Sequence, residues 1–368
     1  MKILIACGGT SGHINPALAI AGELRRRHAD AEFLFIGTPN HLEADLVPRA
    51  GFPIQTVEVS GLRRRLSLSA VKHNIRSVSR FVSARRKVRK ILKEYNPDVV
   101  LGTGGYVSAP VLSEAAARKY PTVIHEQNAY AGVTTKMLAP KVDRVLLSFP
   151  LAHPIRCDSS KCTVIGNPVK EEFLHITKEE ARLRLGIAPD AVYVLSYGGS
   201  LGARKINDAF VEMARIAAKD RAMILCHGAA RDFEYVTDLL KDVASTDLRI
   251  HEYIYDMPLH MAAADLVIAR SGAMTLTELA ALGKPSVLIP SPNVTENHQY
   301  YNAKGYADVG ASVLMEEKDL SGAALYETLC GLVFDKGRLC TMERAARSLA
   351  HPSATAQICD AVEGLIRR

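Results

Sequence analysis

The sequence predicts an α/β protein made of two Rossmann-like domains in tandem. Short apolar runs alternate with helix-length amphipathic segments along most of the 368 residues, a pattern typical of parallel sheets covered by helices. An opening made of a strand, a glycine loop and a helix occurs twice. Ile3–Ala6 leads into Gly8–Gly12, and Val192–Ser196 leads into Gly198–Gly202. A chain of this length has room for two domains, so we expect one domain to begin at each opening.

The strands are predicted from short apolar runs bounded by polar residues or glycine. In chain order these are Ile3–Ala6, Glu32–Ile36, Val99–Leu101, Thr122–His125, Arg144–Leu147, Val192–Ser196, Ala222–Cys226, Leu266–Ala269 and Ser286–Ile289. The turn at Gly166–Pro168 precedes the second set of strands, which predicts domains at residues 1–165 and 166–348. No strand follows the last helix, at about residues 349–368, and we expect it to pack back on the first domain.

Charge and cysteine content restrict the class of protein. The chain has 46 Lys and Arg against 39 Asp and Glu, yet twelve of the basic residues lie in residues 61–93, the basic segment, which contains no acidic residue. Outside the basic segment the chain is therefore net acidic. The seven cysteines have no metal-ligand spacing and indicate reduced thiols in a cytosolic protein. No apolar run of about 18 residues occurs, so any membrane association is expected to be peripheral.

Three glycine-rich loops follow predicted strands, at Gly8–Gly12, Gly102–Gly105 and Gly198–Gly202. Backbone amides of such loops approach anions closely and a helix N-terminus favours phosphate, so we expect a phosphorylated ligand. The first loop reads GGTSGH and no acidic residue ends the second strand, which argues against a nicotinamide dinucleotide. No Walker sequence follows any glycine loop.

Polar residues at strand ends mark a candidate site. HEQN at 125–128 follows a buried-type strand, and His13 follows the first glycine loop, so both are expected to face a common cleft. In the second half, Ser271 is predicted to cap a helix whose N-terminus suits a phosphate, and Glu278 two turns later suits a ribose diol. Taken alone, Glu278 is equally compatible with an ordinary solvated glutamate. Residues 296–302 form either a polar helical face beside this site or a plain surface helix.

Seven motifs resemble those of the MurG family and occur in order along the chain. They are GGTSGHINPA at 8–17, GTGGYVSAP at 102–110, HEQN at 125–128, GNPV at 166–169, GGSLGA at 198–203, RSGAMTLTE at 270–278 and ENHQYYNA at 296–303. That family transfers N-acetylglucosamine from UDP-N-acetylglucosamine (UDP-GlcNAc) to lipid I, giving lipid II for bacterial peptidoglycan. The resemblance implies a GT-B fold, in which a deep cleft separates an acceptor-binding, membrane-associating first domain from a UDP-sugar-binding second domain.

The resemblance also implies roles for individual residues. His13 is the expected catalytic base with Glu126 in reserve, while Gly104, Gly105 and Tyr106 lie on the acceptor side. The expected donor contacts are Thr10, Ser11, Gly12, Asn128, Lys170, Ser200, Ile254, Ala273, Met274, Thr275, Glu278, His298, Gln299 and Asn302. Three positions depart from the family pattern, namely Lys170, Leu201 and His298.

The implied reaction is a single displacement, because the family's donor is α-linked and its product is β-linked. An imidazole titrates near neutral pH, which suits His13 to take the proton of the acceptor 4-hydroxyl. The helix N-terminus behind Ser271 and the amides near Ser200 would offset the charge on departing UDP. The sequence has no Asp-x-Asp motif, so we expect no metal and no other cofactor.

An acceptor with a polyprenyl tail gives the basic segment a second interpretation. Val71, Ile75, Val78 and Val82 recur at helical spacing, which predicts an amphipathic helix with a basic face that is either solvated or membrane-bound. The resemblance favours a membrane patch made of Ile75, Arg76, Arg80, Phe81, Arg85, Arg86, Arg89 and Lys90. We therefore expect a peripheral protein on the cytoplasmic face of the bacterial cell membrane. Its expected partners are anionic lipids and other cell-wall synthesis and division proteins.

Three alternatives stay open. UDP-GlcNAc 2-epimerases share this architecture and would act on the sugar nucleotide without an acceptor. Other lipid glycosyltransferases, such as galactolipid synthases, share the glycine loops without the HEQN and ENHQYYNA context. The basic segment alone suggests a nucleic-acid-binding module, whose binding would depend steeply on salt. Only Phe81 could stack on a base there, so no nucleic acid partner is expected.

Overall fold

The structure is a computed structural model that describes residues 1–60, 68–128, 130–151, 154–199, 202–220, 223–243, 247–294 and 297–366. Within these ranges, the side chains of residues 68–73, 75 and 76 are not described. Contacts divide the chain into two units, Met1–Lys170 with Ser353–Arg368, and Glu171–Pro352. Each division falls a few residues beyond the corresponding boundary expected from the sequence.

The first unit is a parallel sheet with helices on both faces. Its strands are β1 Lys2–Ala6, β2 Glu32–Gly37, β3 Ile54–Thr56, β4 Val99–Gly102, β5 Thr122–Glu126, β6 Arg144–Leu147 and β7 Cys162–Val164. Its helices are α1 Ser11–Arg27, α2 Glu43–Arg49, α3 Leu68–Tyr95, α4 Gly105–Ala117, α5 Val133–Leu138 and, at the end of the chain, α15 Ala354–Ile366. The strands form one sheet in the order β3-β2-β1-β4-β5-β6-β7.

Alternate side chains of β1 enter two apolar cores, one on each face of the sheet. Ile3 and Ile5 pack in the core that α1 covers, whereas Leu4 packs in the core that α3 and α4 cover. Helix α15 contributes Ile358 and Val362 to the first of these cores. Each such buried side chain contributes about 1.5–3 kcal/mol relative to exposure, so the last helix is an integral part of the first unit.

The second unit repeats the arrangement with six strands. They are β8 Tyr193–Tyr197, β9 Ile224–Gly228, β10 Asp247–His251, β11 Leu266–Ala269, β12 Ser286–Leu288 and β13 Ser312–Leu314. The helices are α6 Glu172–His175, α7 Lys178–Leu185, α8 Arg204–Asp220, α9 Phe233–Leu240, α10 Met257–Ala263, α11 Ala273–Leu282, α12 His298–Asp308, α13 Gly322–Val333 and α14 Lys336–Ser348. The sheet order is β10-β9-β8-β11-β12-β13, and every pairing is parallel.

Both sheets reverse their winding direction at one point, between β1 and β4 in the first unit and between β8 and β11 in the second. Ligands of open α/β sheets bind beyond the carboxyl ends of the strands at this switch point. The two glycine-loop openings that the sequence singled out follow β1 and β8, so each lies beside its own switch point. The predicted pair of Rossmann-like domains is confirmed.

Helix α3 is amphipathic, as predicted, but two valines of the predicted spacing lie on its exposed side. Val88 and Leu92 are buried, whereas Val78 is 57% exposed and Val82 is 45% exposed. The helical period places these two valines roughly 100° around the axis from the buried stripe. The spacing thus predicted the amphipathic helix but not which of its apolar residues are buried. Length and hydropathy together exclude a membrane-spanning helix among the residues described.

Candidate functional site

Two glycine loops of the first unit touch at the carboxyl ends of β1 and β4. A Cβ on Gly105 would lie only 2.2 Å from the carbonyl oxygen of Gly8, and Gly104 and Gly105 both have positive φ, at 103° and 77°. Only glycine fits this approach and this backbone conformation. Tyr106 follows at the start of α4 with 61% of its surface exposed. The three predicted acceptor-side residues thus lie together beside the first glycine loop.

His13 lies in the first turn of α1, where the loops after β1, β4 and β5 meet. Its Nδ1 is 3.0 Å from the carbonyl oxygen of Thr103 and 3.0 Å from Oε1 of Gln127. A Cβ on Gly104 would lie 2.5 Å from this nitrogen, so the glycine makes room for the imidazole. Thr10, the N-cap of α1, and its neighbours Ser11 and Gly12 are half-buried beside it. The structure therefore joins His13 to the HEQN motif, through a glutamine to which sequence reasoning assigned no role.

Glu126, the reserve base, is buried and fully engaged by its own loop. Its carboxylate accepts hydrogen bonds from the amide of Gly132 (2.9 Å) and the hydroxyl of Thr135 (2.5 Å). It also accepts from the backbone amide (3.1 Å) and side-chain amide (3.3 Å) of Asn128. These four donors occupy the carboxylate oxygens, which leaves little room for an acceptor hydroxyl beside them. This geometry favours His13 as the base and assigns Glu126 to holding the loop after β5.

A buried carboxylate that sequence reasoning missed lies beneath the first glycine loop. Glu43, on α2, accepts hydrogen bonds from the amide of Gly9 at 3.0 Å, and from the amide and hydroxyl of Thr38 at 2.9 and 2.5 Å. A Cβ on Gly8 would lie 2.5 Å from its Oε1. The amide of Gly9 therefore already donates to an internal carboxylate, that of Glu43. A lone glutamate in a short polar segment gives no sequence pattern that would identify it.

The N-terminus of α11 is the candidate phosphate site of the second unit. Its N-cap is Gly272, which has no side chain, so within the described part of the chain the amides of Ala273, Met274 and Thr275 receive no bond from an N-cap side chain. The predicted cap by Ser271 is wrong, because the buried Ser271 hydroxyl donates instead to the carbonyl oxygen of Gln299 at 2.7 Å. An uncapped N-terminus of a ten-residue helix suits a diphosphate.

Two residues predicted to contact the sugar donor, Gln299 and Asn302, lie on helix α12 beside this N-terminus. Oε1 of Gln299 accepts from the amide of Ser291 at 2.9 Å, and Nδ2 of Asn302 donates to the carbonyl oxygen of Ser271 at 3.1 Å. His298, the first residue of the helix, is half-buried. The polar face at 297–302 therefore adjoins the α11 N-terminus and is not a plain surface helix.

Glu278 is also no ordinary surface residue, because only 8% of it is exposed. The buried phenol of Tyr197, at the carboxyl end of β8, lies close to it and to Thr275. Burial raises the pKa of Tyr197, and the nearby Glu278 carboxylate raises it further. Tyr197 thus stays a neutral phenol beside Glu278 at this strand end.

Three further residues predicted to contact the donor are Ile254, Lys170 and Ser200. Ile254 follows the end of β10 and packs over Gly228, where a Cβ would lie 3.3 Å from its Cδ1. Lys170 is half-buried and is the last residue of the first unit before the division. Ser200, with its neighbour Leu201, lies outside the described residues.

The predicted membrane patch on α3 separates into two sets of residues. Arg85 and Arg89 hydrogen-bond to the buried carboxylate of Glu114 on α4, at 3.0 and 2.8 Å, and Arg118 does so at 3.0 Å. Arg85 and Arg89 therefore attach α3 to α4, although their side chains stay 37% and 57% exposed. The remaining residues differ in exposure and pairing: Arg86 is exposed, Phe81 is half-buried, Arg80 pairs with Glu58, Lys90 pairs with Glu94, and the side chains of Ile75 and Arg76 lie outside the described set.

One group of side chains in the described ranges has the composition of a metal site. The possible ligand atoms of Cys226, His251 and His260 lie within 4.8 Å of one another. The phenol of Tyr193 already contacts Nδ1 of His260 at 2.6 Å, and the cation of Arg249 acts on both histidines and disfavours a second positive charge. Tyr193 and Cys226 thus share Nδ1 of His260, whereas Nε2 of His251 has no hydrogen-bond partner among the described residues. All seven cysteines are free thiols.

Comparison with known proteins shows the family to which the chain belongs. The models described as the glycosyltransferase family 28 N-terminal and C-terminal domains match residues 3–147 and 193–358. A protein of Acetivibrio thermocellus named UDP-N-acetylglucosamine–N-acetylmuramyl-(pentapeptide) pyrophosphoryl-undecaprenol N-acetylglucosamine transferase is 43% identical over 368 residues, which cover 100% of this chain and 99% of that protein.

Solved structures agree with this result. The crystal structure of Acinetobacter baumannii MurG is similar with a TM-score of 0.73 and 27% identity over 99% of each chain. A UDP-GlcNAc 2-epimerase from Neisseria meningitidis, bound to UDP-GlcNAc, gives a TM-score of 0.66 at 16% identity over 100% of each chain, which shows a shared fold alone. The predicted GT-B type of fold, with two parallel α/β domains, is confirmed. The chain belongs to the MurG family of transferases within glycosyltransferase family 28.

Proposed function

We propose that the chain transfers N-acetylglucosamine from UDP-GlcNAc to the 4-hydroxyl of the muramyl sugar of lipid I, with inversion, and so forms lipid II. The observation that carries the proposal is the 43% identity, over the whole chain, to a relative whose name states this sugar donor and this type of acceptor. Fold similarity alone extends equally to an epimerase of the same donor. The full-length relationship therefore decides between the two activities.

The second unit supplies the groups that would hold the donor. The amides of Ala273, Met274 and Thr275 at the α11 N-terminus would receive the diphosphate, where the helix dipole favours negative charge. The carboxylate of Glu278 would accept hydrogen bonds from both ribose hydroxyls, and the main chain at Ile254 would pair with uracil. The further proposed donor contacts are Thr10, Ser11, Gly12, Asn128, Lys170, Ser200, His298, Gln299 and Asn302.

The first unit supplies the proposed base. The acceptor oxygen bonds to the anomeric carbon while the bond from that carbon to the UDP oxygen breaks, and Nε2 of His13 takes the acceptor proton. The negative charge that develops on UDP is stabilised by the α11 amides, which are already oriented before the reaction. Because these amides can serve the leaving group, and because no Asp-x-Asp motif occurs, we propose that the reaction needs no divalent metal.

Part of α3 is proposed as the membrane-contacting surface. The exposed Val78 and Val82 lie on the same side of the helix as the exposed Arg86, and Lys87 and Lys90 extend the positive charge. Exposed apolar groups beside basic groups suit the interface of an anionic bilayer. We propose that the protein binds the cytoplasmic face of the cell membrane peripherally, where its lipid-linked acceptor is found.

Acceptor dependence tests the function. The full chain is incubated with UDP-GlcNAc radiolabelled in the sugar, with and without a lipid I analogue, and in parallel with EDTA. We expect label in a lipid-linked disaccharide and stoichiometric UDP only when the acceptor is present, and EDTA should not reduce the rate. Conversion of UDP-GlcNAc to its 2-epimer without acceptor would contradict the proposal. Loss of activity with EDTA, restored by Mg²⁺, would contradict only the metal-independent mechanism.

A further inference from the structure

We propose that Gln127 and His125 are positioning residues that determine which nitrogen of His13 carries the proton, through a chain of hydrogen bonds that begins at the carbonyl oxygen of Gly166. The inference rests on the proposed role of His13 as general base. It adds that the HEQN motif serves the reaction through its histidine and its glutamine.

The first link fixes the protons of His125. Its Nε2 lies 3.0 Å from the carbonyl oxygen of Gly166, and a carbonyl can only accept, so Nε2 carries hydrogen. The ring is completely buried. Burial lowers the pKa of His125 to about 4, against the opposing effects of the Gly166 hydrogen bond and the nearby Glu126 carboxylate. The ring is neutral at neutral pH, and its Nδ1 is therefore a hydrogen-bond acceptor.

The second link fixes the orientation of the Gln127 amide. Its Nε2 lies 3.0 Å from Nδ1 of His125 and 3.1 Å from the main-chain carbonyl oxygen of His125, and both atoms are acceptors. If the amide were rotated by 180°, its oxygen would face two acceptors at these distances, and the buried NH₂ group would lose both partners. The amide oxygen of Gln127 must therefore face His13.

The third link fixes the tautomer of His13. Nδ1 of the imidazole lies 3.0 Å from Oε1 of Gln127 and 3.0 Å from the carbonyl oxygen of Thr103, so two acceptors face one nitrogen. That nitrogen must carry the hydrogen, and the lone pair of the neutral ring is then on Nε2. Nε2 makes no hydrogen bond with any residue that the structure describes. It is the nitrogen that can take the proton of an acceptor hydroxyl.

Asn167 and Ser148 hold the start of this series of hydrogen bonds, at His125 and Gln127, in place. Nδ2 of Asn167 donates to the carbonyl oxygen of Gln127 at 3.1 Å, and the hydroxyl of Ser148 lies 2.6 Å from Oδ1 of Asn167 and 3.3 Å from Nε2 of His125. Gln127 is 2% exposed, so the amide has no water with which to exchange these partners. The GNPV motif thus supports the HEQN motif, which in turn orients His13.

Nitrogen-15 NMR of the histidine-labelled full chain tests the inference independently of activity, with the His13 signals identified by their loss in His13→Ala. In the neutral ring we expect a protonated Nδ1 and an unprotonated Nε2. Gln127→Met, which removes one of the two acceptors at similar size and leaves the carbonyl oxygen of Thr103 beside Nδ1, should increase the fraction of rings protonated on Nε2 and lower kcat about tenfold at unchanged KM for UDP-GlcNAc. Gln127→Glu should keep Nδ1 protonated and raise the pKa of His13, because a carboxylate stabilises the imidazolium.

The control is Gln357→Met, which replaces an exposed glutamine that has one side-chain hydrogen bond, to Ser353, and should change neither the NMR spectrum nor the kinetics. A wild-type ring protonated on Nε2 would overturn the inference, and so would an unchanged tautomer in Gln127→Met. These outcomes differ from failure of the proposed function. If His13→Ala kept full transferase activity while the wild-type tautomer were as expected, the base assignment would fail and the hydrogen-bond chain would stand.

Discussion

The surroundings of His13 show why a residue's chemistry depends on distant parts of the chain. Sequence reasoning could single out His13 because a histidine directly after a glycine loop at a strand end faces the ligand edge of the sheet. Its two hydrogen-bond partners lie 90 and 114 residues away, on loops that only the folded sheet brings next to it. No local pattern shows such contacts. The type of group was predictable, whereas its orientation was not.

Replacing His13 by alanine is expected to lower kcat by about 100-fold or more and to leave KM for UDP-GlcNAc nearly unchanged, because a general base acts in the transition state. Steady-state kinetics with a lipid I analogue measure both constants. His41→Ala, which changes an exposed histidine before α2, is the matched control and should behave as wild type. Full turnover by the His13→Ala enzyme would eliminate this residue as the base.

Replacing Glu278 by alanine is expected to weaken UDP binding by about 10-fold or more, since two hydrogen bonds from the ribose to a carboxylate are lost. Isothermal titration calorimetry with UDP measures this effect directly. Glu327→Ala, an exposed glutamate on α13 of the same unit, should leave the affinity unchanged. An unaltered UDP affinity in Glu278→Ala would refute the ribose role.

Two other residues show where sequence reasoning failed. Ser271 is a residue type that often caps helices, yet Gly272 is the N-cap and the serine hydroxyl binds α12 instead. Glu43 gave no pattern at all, because its role depends on reaching under the first glycine loop from α2. In both cases a tertiary hydrogen bond decides the function of the side chain, and such a bond is not encoded in neighbouring residues.

Among the structural elements, the strands missed by sequence reasoning share one property. β3, β7, β10 and β13 are the outer strands of the two sheets, whereas all nine predicted strands correspond to inner strands. Inner strands of parallel sheets are buried on both faces and appear as continuous apolar runs. The outer ones are short or polar, such as Ile-Gln-Thr at 54–56 and Asp-Leu-Arg-Ile-His at 247–251, and lack that pattern.

The cluster at Glu114 connects α3 and α4 and makes the free energy of unfolding depend on pH. Burial raises the pKa of Glu114, but hydrogen bonds from Arg89, Arg118 and Arg85 outweigh burial, so that the pKa lies below its ordinary value. The stabilisation is fully present above the unfolded carboxyl pKa, about 4.3, and is lost as pH falls through the lower folded value.

Glu114→Gln is therefore expected to reduce the free energy of unfolding at pH 7 by about 2 kcal/mol, because the guanidinium groups are partly exposed and their attraction is screened. The difference from wild type should shrink as the pH falls below about 4. Urea denaturation at several pH values measures it. Glu94→Gln, an exposed carboxylate on α3, is the control. A difference that stayed constant down to acidic pH would contradict the ion cluster.

The proposed membrane-contacting surface of α3 can be tested separately. Arg86→Glu together with Lys87→Glu should weaken binding to vesicles that contain phosphatidylglycerol at least about tenfold, because each basic residue near an anionic surface contributes about 1 kcal/mol. Vesicle co-sedimentation measures the binding. Lys219→Glu with Lys336→Glu changes the net charge equally on the second unit and should have little effect. Undiminished binding of the α3 variant would overturn the membrane surface. Arg85 and Arg89 are left intact because they bind Glu114.

Across the whole molecule, two units of the same winding carry different chemistry beside their switch points. The first unit binds an internal carboxylate with an amide of its glycine loop and places a histidine beside it. The second unit leaves the N-terminus of α11 without a side-chain cap and buries Glu278 behind it. These two differences support the proposal that the first unit carries the base and the second unit binds the diphosphate. Sequence reasoning could predict the tandem fold from the repeated glycine loops, but the internal use of the first loop required the structure.

The central claim is an inverting transfer of N-acetylglucosamine to the muramyl 4-hydroxyl, and the linkage of the product tests it most directly. The full chain is allowed to react with UDP-GlcNAc and a lipid I analogue, and the lipid-linked disaccharide is analysed by NMR for anomeric configuration and attachment site. The account predicts a β-1,4-linked N-acetylglucosamine as the product. An α-linked disaccharide, or a sugar nucleotide that is only epimerised or hydrolysed, would contradict it.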